Sequence, residues 1–214
     1  MKRPPAKAGA KRRDQIVQAA VRLFSDHGYT ETTMDDIATT ANVSKGLIYL
    51  YFKDKNDVLF FTLRFVLEMY ERDVEQALVH AENPLARLRM AFHGLGRLVS
   101  EHVRETVLAY RSSKDLAPRQ RLEIKIRESK IGRSFRGCLE ACVHQRLMVP
   151  LNIDVMVYQY VMFCHTWALK NWVFRDKYTF EEYLAEGERM LIAAFLTAKG
   201  RKLLAQLQRE RAAS

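Results

Sequence analysis

Apolar residues recur at three- and four-residue steps along almost the whole chain, which is the period of amphipathic helices. Near the start, one such series predicts a helix and consists of Ile16, Ala19, Ala20, Leu23 and Phe24. Gly28 follows it and can supply the left-handed backbone that ends many helices. Breakers are few, with nine glycines and five prolines in 214 residues, and no pair of strands is indicated. The pattern therefore predicts an all-α fold.

Two short helices are predicted directly after Gly28. Thr33 is a suitable N-cap for the first, and Asp35 and Asp36 lie in its first turn, where the helix dipole favours acidic side chains. Ser44 can cap the second, which runs from Lys45 to about Phe52. Only a few residues separate the two helices, and this is the layout of a helix-turn-helix.

The second of these helices carries residues suited to a DNA major groove. Ile48 is expected to face the core, so Lys45, Gly46, Leu47, Tyr49 and Tyr51 remain for the outside. Glycine permits close approach of the backbone, lysine can reach guanine or phosphate, and tyrosine hydroxyls can bond phosphate oxygens. Lys55, at the start of the next helix, is expected to contact a backbone phosphate. The alternative is that the tyrosines are partly buried in helix packing and the lysines form a solvated face.

The segment "TTMDDIATTANVSKGLIYLYFKDKNDVL", with "AAVRLFSDHGY" before it, resembles the DNA-binding signature of the TetR family of bacterial transcriptional regulators. The resemblance covers about residues 12–60. Asn42 stands where the family often has glycine, and asparagine tolerates the left-handed conformation of such a turn. The candidate DNA-binding residues are Thr33, Ser44, Lys45, Gly46, Leu47, Tyr49, Tyr51 and Lys55.

The resemblance implies an all-helical homodimer with an N-terminal three-helix head and a C-terminal helical domain that binds ligand and dimerises. Family members are usually repressors that a small-molecule inducer releases from a palindromic double-stranded DNA operator, and the alternative is an activator. On this basis we expect a flexible basic arm (1–11), a helix-turn-helix domain (12–55), a ligand-binding and dimerisation domain (56–198) and a basic tail (199–214).

Further helices are predicted over residues 56–80, from Pro84 with Asn83 as N-cap, and over 119–145, 154–175 and 180–198. In the family the last two main helices pair with those of the partner subunit. In this chain we expect the apolar stripe of these two helices that faces the partner to comprise Val157, Val161, Cys164, Ala168, Trp172, Leu184, Met190, Leu191, Ala194 and Phe195.

The net charge of +10 is concentrated at the two ends of the chain. Residues 1–13 hold six basic residues and no acidic one, and residues 199–214 hold five basic residues and one acidic. Such ends favour a polyanion such as DNA, and the alternative is that they are solubilising tails.

Residues 111–146 also carry an excess of positive charge, with ten basic and four acidic residues. The segment "YRSSKDLAPRQRLEIKIRESK" and the later "WALKNWVF" are similar to the ligand domain of family members that sense fatty acyl-CoA. That resemblance implies Arg111, Lys114, Arg119 and Arg121 for CoA phosphates, and an apolar wall of Phe92, Leu95, Tyr110, Phe135, Phe163 and Trp167. The alternative is a solvated basic face and an ordinary aromatic core.

No catalytic or metal-binding pattern is present. Cys138 and Cys142 share a helix face, but no second cysteine pair or histidine pair supports a metal site, so we expect buried thiols. No cofactor, metal or membrane span is expected, and the predicted location is cytoplasmic. A non-regulatory alternative is a helical enzyme or carrier of small molecules whose basic arms bind anionic surfaces.

Overall fold

The computed structural model describes residues 6–78 and 83–212, and most of these residues are helical. The all-α prediction is confirmed. The described ranges contain no β-strand, and there is one isolated antiparallel bridge, between Met148 and Leu196. The α-helices are α1 (Ala6–His27), α2 (Met34–Thr40), α3 (Lys45–Tyr51), α4 (Lys55–Leu78), α5 (Pro84–Glu101), α6 (Val103–Ser112), α7 (Pro118–His144), α8 (Ile153–Leu169), α9 (Asn171–Phe174), α10 (Phe180–Leu191) and α11 (Ala198–Ala212).

Helix α1 begins earlier than the sequence pattern indicates. It starts at Ala6, so residues 6–11 of the expected flexible arm are helical, and residues 1–5 lie outside the described residues. The reason is the segment "AKAGAKRR", in which alanine, lysine and arginine are strong helix formers. The predicted end of the helix is confirmed, since Gly28 has φ 85°.

The chain divides into two compact units. The first contains the residues up to Glu68 together with Arg104–Arg127, and the second contains Met69–Val103 and the residues from Glu128 onward. The first unit therefore holds α1 to α3, most of α4, most of α6 and the start of α7. In the second unit, α5 packs extensively on α8. The expected boundary at residue 55 separates a DNA-binding from a ligand-binding function and not two compact units, so it stays a prediction.

The predicted helix starts are largely confirmed, but two predicted helices are interrupted. Asn83 caps α5 by accepting a hydrogen bond from the Ala86 N–H at 2.9 Å. The predicted helix over 154–175 breaks at Lys170, which separates α8 from α9. The predicted helix over 180–198 ends at Leu191, and a 3₁₀ turn (Ala193–Phe195) follows. The predicted helix over 56–80 is described as far as Leu78, and residues 79 and 80 lie outside the described residues.

Part of the stripe expected at a subunit interface is interior to one chain. Val157, Cys164, Ala168 and Leu184 are buried in the single chain, so they face its own interior. Helix α8 is apolar on nearly every side, and periodicity alone does not show which side is covered. Its exposed apolar residues are instead Val155, Tyr158 and Met162.

The three cysteines are free and buried, as expected. Burial raises the pKa of each thiol, that of Cys142 to about 12. Across residues 6–78 and 83–212, no group of three metal-ligating side chains comes together. Within the same ranges, no helix combines the length and apolar character needed to cross a bilayer.

Candidate nucleic-acid interface

Helix α2 is fixed at its start by a reciprocal cap between Thr33 and Asp36. The Asp36 N–H donates to the Thr33 hydroxyl at 3.1 Å, and the Thr33 N–H donates to the Asp36 carboxylate at 2.8 Å. Hydrogen bonds from Thr33 also lower the pKa of Asp36. The predicted N-cap is confirmed, and the Thr33 side chain is already engaged within the protein.

The turn between α2 and α3 is tied to both helices and to α1. Asn42 adopts φ 50°, the predicted left-handed conformation. The Val43 N–H donates to the Ala38 carbonyl at 2.9 Å, and the Gln15 amide donates to the Ala41 carbonyl at 2.6 Å. These bonds fix the direction in which α3 leaves the turn.

Helix α3 begins at the predicted residue and presents two different faces. Ser44 caps it by accepting from the Leu47 N–H at 3.2 Å. Ile48 is fully buried, and Phe52 just beyond the helix is nearly so. Lys45, Gly46 and Tyr49 are exposed, whereas Leu47 and Tyr51 are half-buried. The face predicted for DNA is therefore accessible at its centre and partly covered at Leu47 and Tyr51.

Leu50 is an exposed residue of α3 that the sequence pattern did not single out. Its side chain is 49% exposed, close to the 50% of Tyr49. An aliphatic residue in a short helix is normally assigned to the core, and only the position of Ile48 shows that Leu50 points elsewhere. Leu50 extends the accessible face of α3.

Gly46 is not required by the packing of the protein itself. A Cβ placed at this position meets no heavy atom within 4 Å, and its backbone is helical. The free space on this side of α3 is therefore available to an external partner that approaches the helix backbone.

Lys45 forms an ion pair that the sequence pattern did not predict. Its ammonium lies 2.7 Å from the carboxylate of Asp35 on α2, and the two side chains are 61% and 59% exposed. The hydrogen bond from Lys45 to Asp35 raises the pKa of the lysine. The first residue of α3 is thus paired with a carboxylate in the first turn of α2.

Lys55, for which a phosphate contact is predicted, is engaged within the protein in the free chain. Its ammonium donates to the carbonyls of Tyr29, Thr30 and Thr32 at 3.0, 3.1 and 3.0 Å, and it lies 4.6 Å from the centre of the Tyr29 ring. An ammonium has three N–H donors, and all three point at protein carbonyls. Lys55 therefore holds the α1–α2 loop, and a phosphate contact requires the loss of one of these bonds.

Most of the apolar residues predicted for ligand lie in one aromatic cluster of the second unit. The Phe92 ring is 5.8 Å from both the Tyr160 and the Phe163 rings. Phe135 joins through Tyr160 at 5.6 Å. Tyr183 links Phe163, at 4.4 Å, to Trp167, at 5.2 Å. Leu95 is also fully buried in this unit.

The remaining predicted ligand residues belong to the first unit. Arg111, Lys114, Arg119 and Tyr110 are exposed there. Arg121 is half-buried and donates to the carbonyls of Lys114 and Leu116 at 2.5 and 3.0 Å, so it fastens the loop before α7. The four predicted basic residues and Tyr110 thus belong to the first unit, and the other five predicted apolar residues belong to the second.

Comparisons with known proteins agree with the geometry of α2 and α3. Residues 16–60 match the model of the family described as "Bacterial regulatory proteins, tetR family". The HTH-type transcriptional regulator HbdR of Aromatoleum sp. (strain CIB) is 42% identical over 198 residues, which cover 92% of this chain and 86% of HbdR. The HTH-type transcriptional repressor KstR2 of Mycolicibacterium smegmatis is 27% identical, covering 76% of this chain and 80% of KstR2.

A solved structure with the same fold contains both a ligand and DNA. AibR in complex with isovaleryl coenzyme A and operator DNA superposes with a TM-score of 0.73 at 23% identity, covering 84% of this chain and 97% of AibR. At this identity the similarity establishes the fold.

Proposed function

Because the chain belongs to the TetR family of bacterial regulatory proteins, we propose that it is a repressor that a small molecule releases from a palindromic operator. It is a helix-turn-helix transcriptional regulator and not an enzyme, and regulators of this family bind operator DNA as dimers. The observation that carries the proposal is the exposed face of α3, which includes Lys45, Gly46 and Tyr49 and on which a Cβ at Gly46 would meet no heavy atom within 4 Å.

The proposed DNA contacts divide by chemistry. Lys45 and Tyr49 supply donors for a base edge or a phosphate, and Gly46 allows the α3 backbone to approach the DNA. Leu47 and Tyr51 contribute through their accessible parts. The side chains of Thr33 and Ser44 are already hydrogen-bonded within the protein. These two residues therefore contribute through the N-termini of the helices that they cap. Lys55 is left out, for the reason given by its three internal hydrogen bonds.

A dimer face is proposed on α8 and α10. Val155, Tyr158 and Met162 are exposed at helical spacing on α8, with Tyr158 68% exposed, and Met190 is exposed on α10. Burial of large apolar side chains drives most stable association. A partner copy that covers these residues sets the separation of the two heads, and that separation must match two half-sites of one operator.

The proposed inducer is a CoA thioester whose acyl group enters the aromatic cluster around Phe92, Phe163 and Trp167. Support comes from AibR, which has this fold and binds isovaleryl coenzyme A. An inducer that favours one conformation of the dimer weakens DNA binding by the same coupling free energy that it gains. A thermal-shift panel of CoA thioesters, free acids and aromatic compounds tests this class, because a ligand at about 100 times its Kd adds nearly 3 kcal/mol of stability.

The DNA-binding proposal is tested by selecting duplexes from a random pool and measuring retention of the enriched site. Replacing Lys45→Ala and Tyr49→Phe together should abolish retention of that site while the dimer stays folded. The matched control is Lys177→Ala with Tyr178→Phe, which removes the same chemistry from exposed positions outside the head and outside both basic ends, and should leave retention unchanged. Specific binding that survives the first double replacement would show that α3 is not the recognition helix.

The rival function, a small-molecule enzyme or carrier with basic arms, predicts no enriched site at all. The role of the N-terminal basic residues is a separate question, since they either contact DNA or form a solubilising tail. If the basic arm contacts phosphates, deleting residues 1–5, which include Lys2 and Arg3, should lower affinity for every sequence and flatten its salt dependence. An unchanged salt slope identifies the arm as a solubilising tail.

A further inference from the structure

Asp35 places a negative charge on the surface that faces DNA in the proposed function, on which this inference rests. Its carboxylate is 59% exposed and lies 2.7 Å from the Lys45 ammonium. Asp36, the neighbouring carboxylate, is accounted for by its cap with Thr33. Asp35 makes no such cap, and the side-chain partner that the structure gives it is Lys45.

This ion pair changes what Lys45 can contribute to binding. A lysine that neutralises a phosphate releases counterions and strengthens binding to every sequence. While Lys45 is paired with Asp35, the pair has no net charge. If Lys45 leaves for a phosphate, the Asp35 carboxylate is left unpaired beside a polyanion. The pair therefore opposes sequence-independent use of Lys45.

At a G·C base pair, both Lys45 and Asp35 can exchange their ion pair for a hydrogen bond to a base. The O6 and N7 atoms of guanine are adjacent acceptors in the major groove, and lysine is one of the side chains that reads them. The cytosine of the same base pair presents an amino group there, and a carboxylate is its natural acceptor. A G·C pair can thus satisfy both members of the ion pair, whereas a phosphate satisfies only one.

We propose that Asp35 is a specificity-determining residue, which confines the Lys45 ammonium so that it is released to a G·C base pair of the operator and not to phosphates. Asp35 lowers the affinity for random DNA and maintains the base preference at one position of each half-site. The substitution Asp35→Asn removes the charge and keeps a side chain of the same shape with an oxygen that can still accept from Lys45.

Two readouts test the proposal with purified full-length protein. Selection from a random duplex pool gives the base preference at each position, and titration of a shuffled duplex at several salt concentrations gives the non-specific affinity. For Asp35→Asn we expect the G·C preference to relax at one position per half-site and the non-specific affinity to rise about three- to tenfold. The slope of log affinity against log salt should steepen by about 0.9 for each lysine that gains a phosphate.

A control and a second background separate charge from position. Glu31→Gln removes one exposed negative charge from the same unit and should leave the base preference unchanged. In a Lys45→Met background, Asp35→Asn should cause no further change in base preference, since Asp35 acts together with Lys45.

The failures of this inference and of the proposed function are distinguishable. If the unsubstituted protein enriches no sequence, the proposed function fails. If it enriches an operator and Asp35→Asn leaves the selected profile unchanged, or raises specific and non-specific affinity equally, the role of Asp35 is overturned. Complete loss of operator binding in Asp35→Asn also overturns it, because the residue is then required for binding itself.

Discussion

Replacing Gly46 with alanine should separate the stability of the protein from its affinity for DNA. The added Cβ meets nothing within 4 Å in the free chain, and the backbone at this position is helical. In a helix interior, alanine is more favourable than glycine by roughly 0.5–1 kcal/mol. Position 46 lies in the first turn of α3, where this advantage is smaller. The free energy of unfolding should therefore stay constant or rise by about 0.5 kcal/mol.

The same methyl group occupies the space that the proposed function assigns to DNA. If the α3 backbone lies in van der Waals contact with the duplex, the methyl forces the two surfaces apart and the contacts beside it lengthen. We expect operator affinity to fall at least tenfold, which corresponds to about 1.4 kcal/mol. Urea denaturation measures the stability, and fluorescence polarisation of a labelled selected operator measures the affinity.

Two other glycines provide matched controls for this experiment. Gly137 in α7 is exposed and also has nothing within 4 Å of a built Cβ, so Gly137→Ala should stabilise the protein slightly without changing DNA affinity. A Cβ at Gly187 would overlap the Phe163 ring, so Gly187→Ala should destabilise the protein. An operator affinity for Gly46→Ala within twofold of the original would refute close approach of DNA at Gly46.

Two further predictions concern stability. Burial by itself raises the pKa of Glu188, but hydrogen bonds from His93 and Arg89 outweigh it and lower this pKa to about 2. The resulting stabilisation is present above about pH 4.5 and is lost as the pH falls toward 2. Glu188→Gln should therefore lower the free energy of unfolding by about 3 kcal/mol at pH 7. In urea denaturation, the free energy of unfolding of this variant should depend less on pH between pH 5 and 2. Lys55→Met should cost about 2–3 kcal/mol, because it removes three hydrogen bonds that are exposed or part-buried and each contribute about 1 kcal/mol; an unchanged melt would contradict the assigned role of Lys55.

Local chemistry made the ends of the head helices predictable. Thr33 and Ser44 act as caps through bonds to residues three positions away, Gly28 and Asn42 adopt left-handed backbone, and each of these signals is contained in a few neighbouring residues. The all-α fold and the outer position of Lys45 followed from the same local rules.

Contacts between residues distant in sequence were not predictable in this way. Lys55 bonds to carbonyls 23 to 26 residues earlier, and no local pattern distinguishes such a lysine from one aimed at a phosphate. The ion pair of Asp35 and Lys45 joins two helices whose relative orientation depends on the turn between them.

The side of α8 that is covered within the chain could not be predicted from the sequence either. Apolar residues occur on most of its sides, so the 3.6-residue period does not separate the core-facing Val157 and Cys164 from the exposed Tyr158 and Met162. Which side is covered depends on how α5 and α10 pack against it. No local pattern showed either that the predicted ligand residues belong to two different compact units.

The central claim, that α3 lies against operator DNA, is tested most directly by a cleavage reagent attached to this helix. Cys138, Cys142 and Cys164 are buried and their thiol pKa values are raised, so a cysteine introduced at the exposed Leu50 can be labelled selectively with an iron chelate. On the selected operator, the labelled Leu50→Cys protein should cut the DNA at two symmetry-related positions, one in each half-site. A protein labelled at Gly137→Cys should not produce these cuts. Cleavage from position 50 that is absent, or no different from that of position 137, would contradict the account.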